Sequence, residues 1–245
     1  MGHGWKTQRL ANWRVSDDVR AHEGDFAIYA EPLFAEAVVD QLGLCLMEPP
    51  MDWLAWLPRE MRHRGVCIRP LSQARLEVVH QFVKPAEGKV FEPKVYASGA
   101  DLPTLDQVGD IPVLISDLVT FTLEVRCFVL EGTVVTASPY WRDGALAQDA
   151  DGSWPFLAGE EAEALGFART VLEHPGVASP PAFVLDVGIT SEHGWAVIEG
   201  NPCWGAGLYG CDPWEALQTG RRAILKKKDA AVEDLRWVAS RASES

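Results

Sequence analysis

The order of apolar and polar residues along the chain predicts an N-terminal unit of alternating strands and helices. Short apolar runs at residues 26–29 and 66–69 are predicted to be strands. Between them, residues 31–43 carry apolar side chains at helical spacing, and residues 53–63 are also predicted to be helical. Residues 1–75 are therefore predicted to form a small α/β unit.

From residue 78 onward the pattern is dominated by strands. The predicted elements are strands at 80–84, 94–96 and 113–116, a hairpin of strands 121–130 and 133–138, a helix at 160–173, a hairpin of strands 182–187 and 195–199, and a helix at 214–225. Glu131 and Gly132, which separate the two strands of the first hairpin, suit a tight turn. Residues 143–154 are polar, acidic and contain glycine, which predicts a loop.

The composition indicates one or two compact, soluble, acidic domains. The chain has 245 residues, 47% of them hydrophobic, and 22 Lys and Arg against 35 Asp and Glu give a net charge of −13. We expect no general nucleic-acid binding, because such a surface neutralises phosphates with excess basic residues. The apolar runs are shorter than the roughly 18–20 residues that a membrane helix needs, so no membrane partner is expected.

The cysteines predict a reducing environment. There are five of them, an odd number, without a C-x-x-C pair and mostly in apolar surroundings. This pattern is typical of reduced, buried thiols, so we expect a cytoplasmic protein. The sequence predicts no particular oligomeric state.

The charge is distributed unevenly. Residues 59–94 hold eight basic and four acidic residues, whereas residues 95–220 hold three basic and eighteen acidic residues. The first region favours an anion and the second favours cations.

Two carboxylates and an amide lie at the ends of the last predicted hairpin. Asp186 is near the end of one strand, and Glu199 and Asn201 lie at the end of the next. Antiparallel pairing would bring Asp186 close to Glu199, and Glu199 and Asn201 would point to the same side. Oxygen ligands of these types hold Mg²⁺, with substrate phosphates completing its shell. The alternative is a solvated hairpin with an asparagine in a turn.

Two lysines follow the strand at 80–84. Lys84 ends that apolar strand, and Lys89 lies five residues further in a short loop that contains Gly88. A lysine in this position can place its ammonium group against a phosphate. The alternative is a pair of ordinary exposed lysines.

A third group of charged residues lies on the first long hairpin. Glu124 and Arg126 are alternate residues of one strand and therefore share a face. In a cleft they would bind a ribose hydroxyl and a phosphoryl oxygen, respectively; the alternative is a cross-strand ion pair. Arg142, which follows Tyr140 and Trp141, would add a second cation beside the acidic loop.

Together these motifs resemble the ATP-grasp superfamily, and more narrowly its clade named for one arginine and two lysines. The residues that carry the resemblance are Phe82-Val83-Lys84-Pro85, Lys89-x-Phe91, Glu124-x-Arg126-x-Phe128-Val129, and Asp186 with Glu199-Gly200-Asn201-Pro202 beginning thirteen residues later. The resemblance covers about residues 78–215, and the spacing of the last group is its most specific part.

The resemblance implies an α+β ATP-grasp fold, in which two α+β lobes clasp ATP, preceded by a small α/β N-terminal domain. The implied division is an N-terminal domain over residues 1–75, an ATP-grasp domain over residues 76–226 and a charged C-terminal tail over residues 227–245.

The resemblance also implies how the nucleotide is held. Lys84 and Lys89 would contact the α- and β-phosphates. Asp117 and the backbone around Leu118 lie where the family's interlobe segment meets adenine, and Glu124 falls at the acidic residue with which the family binds the ribose or another part of the nucleotide.

For the metal and the reacting phosphate, the resemblance implies that Asp186, Glu199 and Asn201 hold one or two Mg²⁺ ions. Arg126 would be the clade's arginine and face the γ-phosphate or the acyl phosphate formed from it. Many ATP-grasp ligases carry an arginine two residues before the metal aspartate, where this chain has Val184. Further candidates for a phosphate-clamping arginine are Arg142, Arg69 and Arg75.

The implied activity is that of a carboxylate–amine ligase acting on small molecules or peptides. ATP would phosphorylate a carboxylate to an acyl phosphate, and an amine, or less often a thiol, would then attack it; with an amine the products are an amide, ADP and phosphate. The alternatives are a kinase on the same fold and an ATP-binding module without turnover.

Overall fold

The computed structural model describes residues 5–10, 12–22 and 24–238. Its helices are α1 (Asp17–Arg20), α2 (Pro32–Gln41), α3 (Trp53–Trp56), α4 (Arg59–Arg62), α5 (Leu71–Glu77), α6 (Leu105–Val108), α7 (Glu160–Glu173), α8 (Pro213–Arg222) and α9 (Val232–Leu235). Its strands are β1 (Leu44–Leu46), β2 (Val66–Pro70), β3 (Val79–Pro85), β4 (Lys94–Ser98), β5 (Pro112–Ser116), β6 (Phe121–Leu130), β7 (Thr133–Arg142), β8 (Ala145–Leu146), β9 (Ala182–Thr190), β10 (Gly194–Asn201) and β11 (Ile224–Lys226).

The first of two main sheets has four strands in the order β2-β5-β3-β4, all antiparallel. Its core is formed where α5 packs against the sheet, with Leu71 and Ala74 of the helix and Val83 and Val113 of the strands fully buried. We call this sheet with α5 the first lobe.

The second main sheet has five strands in the order β10-β9-β6-β7-β8, again antiparallel. Both predicted hairpins are found here, as β6–β7 and β9–β10. The β6–β7 turn has positive φ angles of 48° at Glu131 and 74° at Gly132. These values are typical of the tight turns that match the twist of the strands. We call this sheet with the helices on its faces the second lobe.

The two faces of the second sheet are covered differently. One face is apolar along its length and packs against α3, α4 and α7. On the other face, Phe128 of β6 and Val184 of β9 pack with α2 and α8. The same face also carries Arg126, two residues before Phe128 on β6, and Asp186, two residues after Val184 on β9. The change from apolar to charged residues on neighbouring strands marks where the helical cover ends and the candidate site begins.

The structure confirms the α+β class and most of the predicted elements. The strand predicted at residues 26–29 is wrong, because this segment forms no regular element and pairs with no described strand. Phe26 and Ile28 pack on the apolar cluster beside α2, so their alternation reflects packing instead of sheet pairing. The helix predicted at 53–63 is split into α3 and α4, because Leu57 before Pro58 is extended.

The N-terminal part of the chain is tied to the later strands. β2, which lies before residue 75, is an edge strand of the first lobe and pairs with β5. β1 pairs with β11 near the C-terminal end of the described chain. The division at residues 75 and 226 stays a prediction, and residues 1–4, 11, 23 and 239–245 of the two terminal segments lie outside the described residues. No helix in the described part of the chain is long and apolar enough to cross a membrane.

Candidate active site

Three charged side chains form a row across neighbouring strands of the second lobe. Arg126 on β6 lies directly opposite Asp186 on β9, and Asp186 lies directly opposite Glu199 on β10. The register shifts between Val197 and Glu199, so Ile198 forms a bulge. This shift brings Glu199 level with Asp186.

Arg126 and Asp186 form a buried, bidentate pair. Nε and Nη2 of Arg126 donate to the two carboxylate oxygens of Asp186 at 2.9 and 2.7 Å. Burial raises the pKa of Asp186, while the hydrogen bonds from Arg126 act in the opposite direction. Burial also opposes the charge of Arg126, but the hydrogen bonds and charge of Asp186 outweigh it and raise the pKa of the guanidinium. The pair is therefore held by two parallel hydrogen bonds that counteract the effect of burial.

Asn201 and Lys84 extend the row to the first lobe. Nδ2 of Asn201 donates to Oδ2 of Asp186 at 2.9 Å and to Oε1 of Glu199 at 2.8 Å. Nζ of Lys84, at the end of β3, donates to Oε2 of Glu199 at 2.6 Å. Burial would raise the pKa of Glu199, but the charge of Lys84 and the hydrogen bonds from both neighbours lower it. Glu199 is thus an anion between the two lobes.

Two tyrosines flank Arg126. Nη1 of Arg126 donates to the carbonyl oxygen of Gly207 at 3.1 Å, and its guanidinium lies over the rings of Tyr140 and Tyr209. These rings stack with centroids 5.0 Å apart, and the Tyr140 hydroxyl donates to Glu124. Burial raises the pKa of Glu124 despite this hydrogen bond. Glu124 thus lies on the same face of β6 as Arg126, and its carboxylate contacts the Tyr140 hydroxyl.

Sequence reasoning missed both tyrosines. Counting residues back from the turn at Glu131 and Gly132 brings Tyr140 near Glu124 but opposite Leu123, and two register shifts between β6 and β7 then place it between the partners of Glu124 and Val125. Tyr209 gave no such signal, because it lies on a loop that reaches β6 only through the fold.

The remaining nucleotide candidates lie outside the row. Lys89 is exposed in the loop after β3, where Gly88 has a φ of 67°. Asp117 and Leu118 lie in the segment that joins β5 to β6 and so connects the two lobes. The carboxylate of Asp117 accepts a hydrogen bond from the backbone N–H of Gly65 at 2.8 Å, and Leu118 is exposed.

The other candidate arginines are bound elsewhere. Nη2 of Arg142 donates to Glu160, in the first turn of α7, at 2.6 Å. Arg69 lies 3.9 Å from Glu77, and Arg75 donates to the carbonyl oxygens of Leu102 and Pro103. The structure therefore brings Lys84, Arg126, Asp186, Glu199 and Asn201 into one bonded group, whereas Arg142, at the end of β7, is paired with Glu160 of α7 and does not join it.

A family model decides how this arrangement is classified. The model describes the ATP-grasp domain of family 2 in the clade named for one arginine and two lysines, and it matches residues 61–219. The chain belongs to the ATP-grasp family. The predicted superfamily, clade and fold are thereby confirmed, and the ATP-grasp match includes β2 as well as the strands after residue 75.

Several solved structures are similar to this ATP-grasp chain. A D-alanine–D-alanine ligase from Bacillus anthracis has 11% identity over 76% of this chain and 71% of its own, with a TM-score of 0.46. The D-cycloserine synthetase DcsG has 17% identity over 71% and 69%, with a TM-score of 0.44. The ligase PsnB, complexed with its precursor peptide and AMPPNP, has 17% identity over 73% and 50%, with a TM-score of 0.36.

The chain thus spans about half the length of PsnB. No curated protein sequence matches it.

The donor set of the row fits a magnesium ion. Within the described residues, no group of three or more His, Cys, Asp or Glu side chains is arranged to hold a metal. Mg²⁺ bound with a nucleotide commonly takes only one or two carboxylates and fills its shell with phosphates and water. Asp186 and Glu199 supply two carboxylates and Asn201 an amide oxygen. Nδ2 of Asn201 donates hydrogen bonds to both carboxylates, so it marks a position where the negative charge of Asp186 and Glu199 favours a cation.

Proposed function

We propose that this ATP-grasp chain is an ATP-dependent ligase that joins a carboxylate to an amine through an acyl phosphate. The observation that carries the proposal is the bonded series that runs from Lys84 in the first lobe through Glu199 to Asp186 and Arg126 in the second. Two cations and two carboxylates thus follow one another from the first lobe into the second, a charge pattern that suits a metal-bound polyphosphate.

The nucleotide would lie between the lobes with its phosphates at the Lys84 end of the row. A lysine ammonium has three N–H donors, and Lys84 uses one on Glu199, which leaves two for phosphate oxygens. Lys89 in the following loop would add a second ammonium group. Asp117 and Leu118 would meet adenine, and Glu124 would lie at the ribose.

Asp186, Glu199 and Asn201 would hold Mg²⁺ against the phosphates. When bound there, the ion would neutralise phosphate charge and make the γ-phosphorus more electrophilic. Glu199 and Asn201 are partly exposed, whereas Asp186 is fully buried behind them.

The proposed reaction has two steps. A carboxylate oxygen of the first substrate attacks the γ-phosphorus, and the bond from that phosphorus to the β–γ bridging oxygen breaks to release ADP. An amine nitrogen then attacks the acyl carbon, and phosphate and a proton leave. Phosphoryl transfer depends on positioning and charge neutralisation, so no protein nucleophile is needed.

Arg126 and Arg142 would stabilise charge on the transferred phosphoryl group. Arg126 uses three of its five N–H donors on Asp186 and Gly207, which leaves two for phosphoryl oxygens. Arg142 would contribute by exchanging Glu160 for an oxygen of the substrate.

A non-catalytic ATP-binding module is the second candidate. Val184 is fully buried in the apolar cluster beside α8, at the position where many ATP-grasp ligases carry an arginine. Arg142 is paired with Glu160. A chain without a free phosphate-clamping arginine would bind ATP without turnover.

The two candidates differ in whether ATP is consumed. We would measure ADP release with Mg²⁺ and panels of carboxylates, amines and alcohols, and add hydroxylamine to trap an acyl phosphate as a hydroxamate. A ligase predicts carboxylate-dependent ADP release and a hydroxamate, both lost in Glu199→Gln and kept in Lys94→Ala. Release that responds only to alcohols would indicate a kinase, and tight ATP binding without release would favour the module.

A further inference from the structure

A buried arginine outside the row joins the interlobe segment to the strand that carries Glu199. Arg64, in the turn between α4 and β2, is 6% exposed. Its Nη1 donates to the carbonyl oxygen of Val197 and its Nη2 to that of Ile198, both at 2.8 Å. On its other side, Nε donates to the Ser116 hydroxyl at the end of β5 at 3.2 Å.

The two carbonyl groups that Arg64 binds belong to the β10 bulge. The register of β10 against β9 shifts between Val197 and Glu199, so the carbonyl groups around Ile198 leave the regular ladder pattern. A buried carbonyl group without a partner is costly, and the fork of Arg64 supplies a donor to each. The bulge is what brings Glu199 opposite Asp186, so Arg64 stabilises the backbone conformation that places Glu199 in the row.

The turn that carries Arg64 is itself bonded to the interlobe segment. The backbone N–H of Asp117 donates to the carbonyl oxygen of Gly65 at 2.9 Å, and the N–H of Gly65 donates to the Asp117 carboxylate at 2.8 Å. A Cβ at Gly65 would lie 2.5 Å from that carboxylate, so a side chain there would displace the Asp117 carboxylate from this hydrogen bond. One continuous network therefore runs from Asp117 to the backbone beside Glu199.

Arg64 also adds charge near the row. Burial and the neighbouring Arg62 lower its pKa to about 10, while Glu199 acts in the opposite direction, so it is a cation at neutral pH. Its positive charge faces the strand from which Glu199 projects.

We propose that Arg64 is a positioning residue that holds Glu199 in its metal-binding place and ties it to the interlobe segment at Asp117. This inference rests on the proposed binding of Mg²⁺ and ATP at the row. Lysine does not replace arginine in this role, because a single ammonium group cannot span two consecutive carbonyl groups and a hydroxyl on another strand.

The test compares ATP binding with and without magnesium. By calorimetry, we would measure the ATP dissociation constant in EDTA and in excess Mg²⁺ for the wild type, Arg64→Lys and Arg64→Met. Residues that position metal ligands typically change metal affinity by about 10–100-fold when substituted. We expect the magnesium-dependent gain in ATP affinity to fall at least about tenfold in both variants, with a smaller change in EDTA.

Arg75→Lys is the matched control. Arg75 also donates to two backbone carbonyl groups, Leu102 and Pro103, but in the first lobe and without contact with β10. We expect Arg75→Lys to keep the magnesium-dependent gain. If Arg64 has only a structural role, Arg64→Lys and Arg64→Met should lower thermal stability and leave the magnesium-dependent gain unchanged.

The outcomes separate this inference from the proposed function. If the wild type does not bind ATP with Mg²⁺, both are overturned. If it does and the Arg64 variants keep the gain, only the positioning role is overturned. If neither Arg64 variant folds, Ser116→Ala decides, because it removes the acceptor of Nε together with the hydrogen bond that this hydroxyl donates to the Asp117 carbonyl: a reduced gain supports the role, and an unchanged gain overturns the tie to the interlobe segment.

Discussion

Arg126 lies directly opposite Asp186 on the neighbouring strand and donates one hydrogen bond to each of its two carboxylate oxygens, at 2.9 and 2.7 Å. Asp186 is fully buried and Arg126 is 8% exposed. Removing two charges from water is costly, and only close, well-aligned pairing compensates for it. The pair therefore fixes the centre of the row to which Asn201 and Glu199 attach.

Removing the arginine should destabilise the fold. In Arg126→Met, Asp186 would remain buried without its partner, and we expect the free energy of unfolding to fall by about 3–5 kcal/mol. Urea unfolding at neutral pH measures this change. Arg169→Met on the exposed side of α7 is the control and should stay close to the wild type; equal losses in both variants would contradict the account of the buried pair.

Lys84 should contribute more to ATP binding than Lys94. Lys84 lies between the lobes on Glu199, whereas Lys94 is paired with the exposed Glu92. A hydrogen bond to a charged group contributes about 1.5–3 kcal/mol, so Lys84→Ala should weaken ATP binding by about 10–100-fold. Calorimetry on both alanine variants tests this, and similar affinities in the two would refute the placement of the phosphates.

The stability of the protein should carry a pH dependence from Glu48. Burial, with a contribution from Glu87, raises the pKa of Glu48 from 4.5 to about 7. The folded state therefore binds a proton more tightly than the unfolded state does. This contribution to stability is present below about pH 4.5 and is lost as the pH rises towards 7.

Glu48→Gln isolates this effect. We expect the variant to lack it, so the free energy of unfolding of the wild type, relative to the variant, should be lower at pH 8 than at pH 5 by up to about 3 kcal/mol. Urea unfolding at the two pH values measures the difference. A constant difference between the two proteins would show that Glu48 does not titrate in this window.

Gly200 should be intolerant of a side chain. It separates Glu199 from Asn201, and a Cβ there would lie 2.9 Å from the buried ring of Trp53 and 3.1 Å from Pro49. We expect Gly200→Ala to cost about 1–3 kcal/mol and to reduce magnesium-dependent ATP binding, because the strand must shift.

Gly166→Ala is the matched control for that change. A Cβ at Gly166, inside α7, meets no atom within 4 Å, so alanine should stabilise the helix by about 0.5–1 kcal/mol. Thermal unfolding and calorimetry on both variants test the pair. Retained binding in Gly200→Ala would show that the spacing of the two ligands is not constrained by Trp53.

The parts of the site that sequence reasoning anticipated are those set by local geometry. The β9–β10 hairpin brings Asp186 and Glu199 near each other because a short turn fixes the register of the strands that it joins, and the bulge at Ile198, which the sequence did not reveal, places them directly opposite. The shared face of Glu124 and Arg126 follows from strand alternation alone. The roles of these residues towards ATP and magnesium remain predictions.

The parts that were missed depend on contacts between distant segments. Arg64 is 52 residues from Ser116 and more than 130 from Val197, and no local pattern connects them. The pairing of β1 with β11 joins segments about 180 residues apart, so neither short run was recognised as a strand. Lys84 was placed on phosphates, and its contact with Glu199 became visible only once the two lobes were assembled.

The central claim is that the row binds ATP together with magnesium between the lobes. Its most direct test is a calorimetric titration of ATP, in excess Mg²⁺ and in EDTA, into the wild type and Glu199→Gln. The account predicts that magnesium strengthens ATP binding to the wild type and that Glu199→Gln loses most of this gain while keeping its fold. Wild-type binding that is independent of magnesium, or an equal gain in Glu199→Gln, would contradict it.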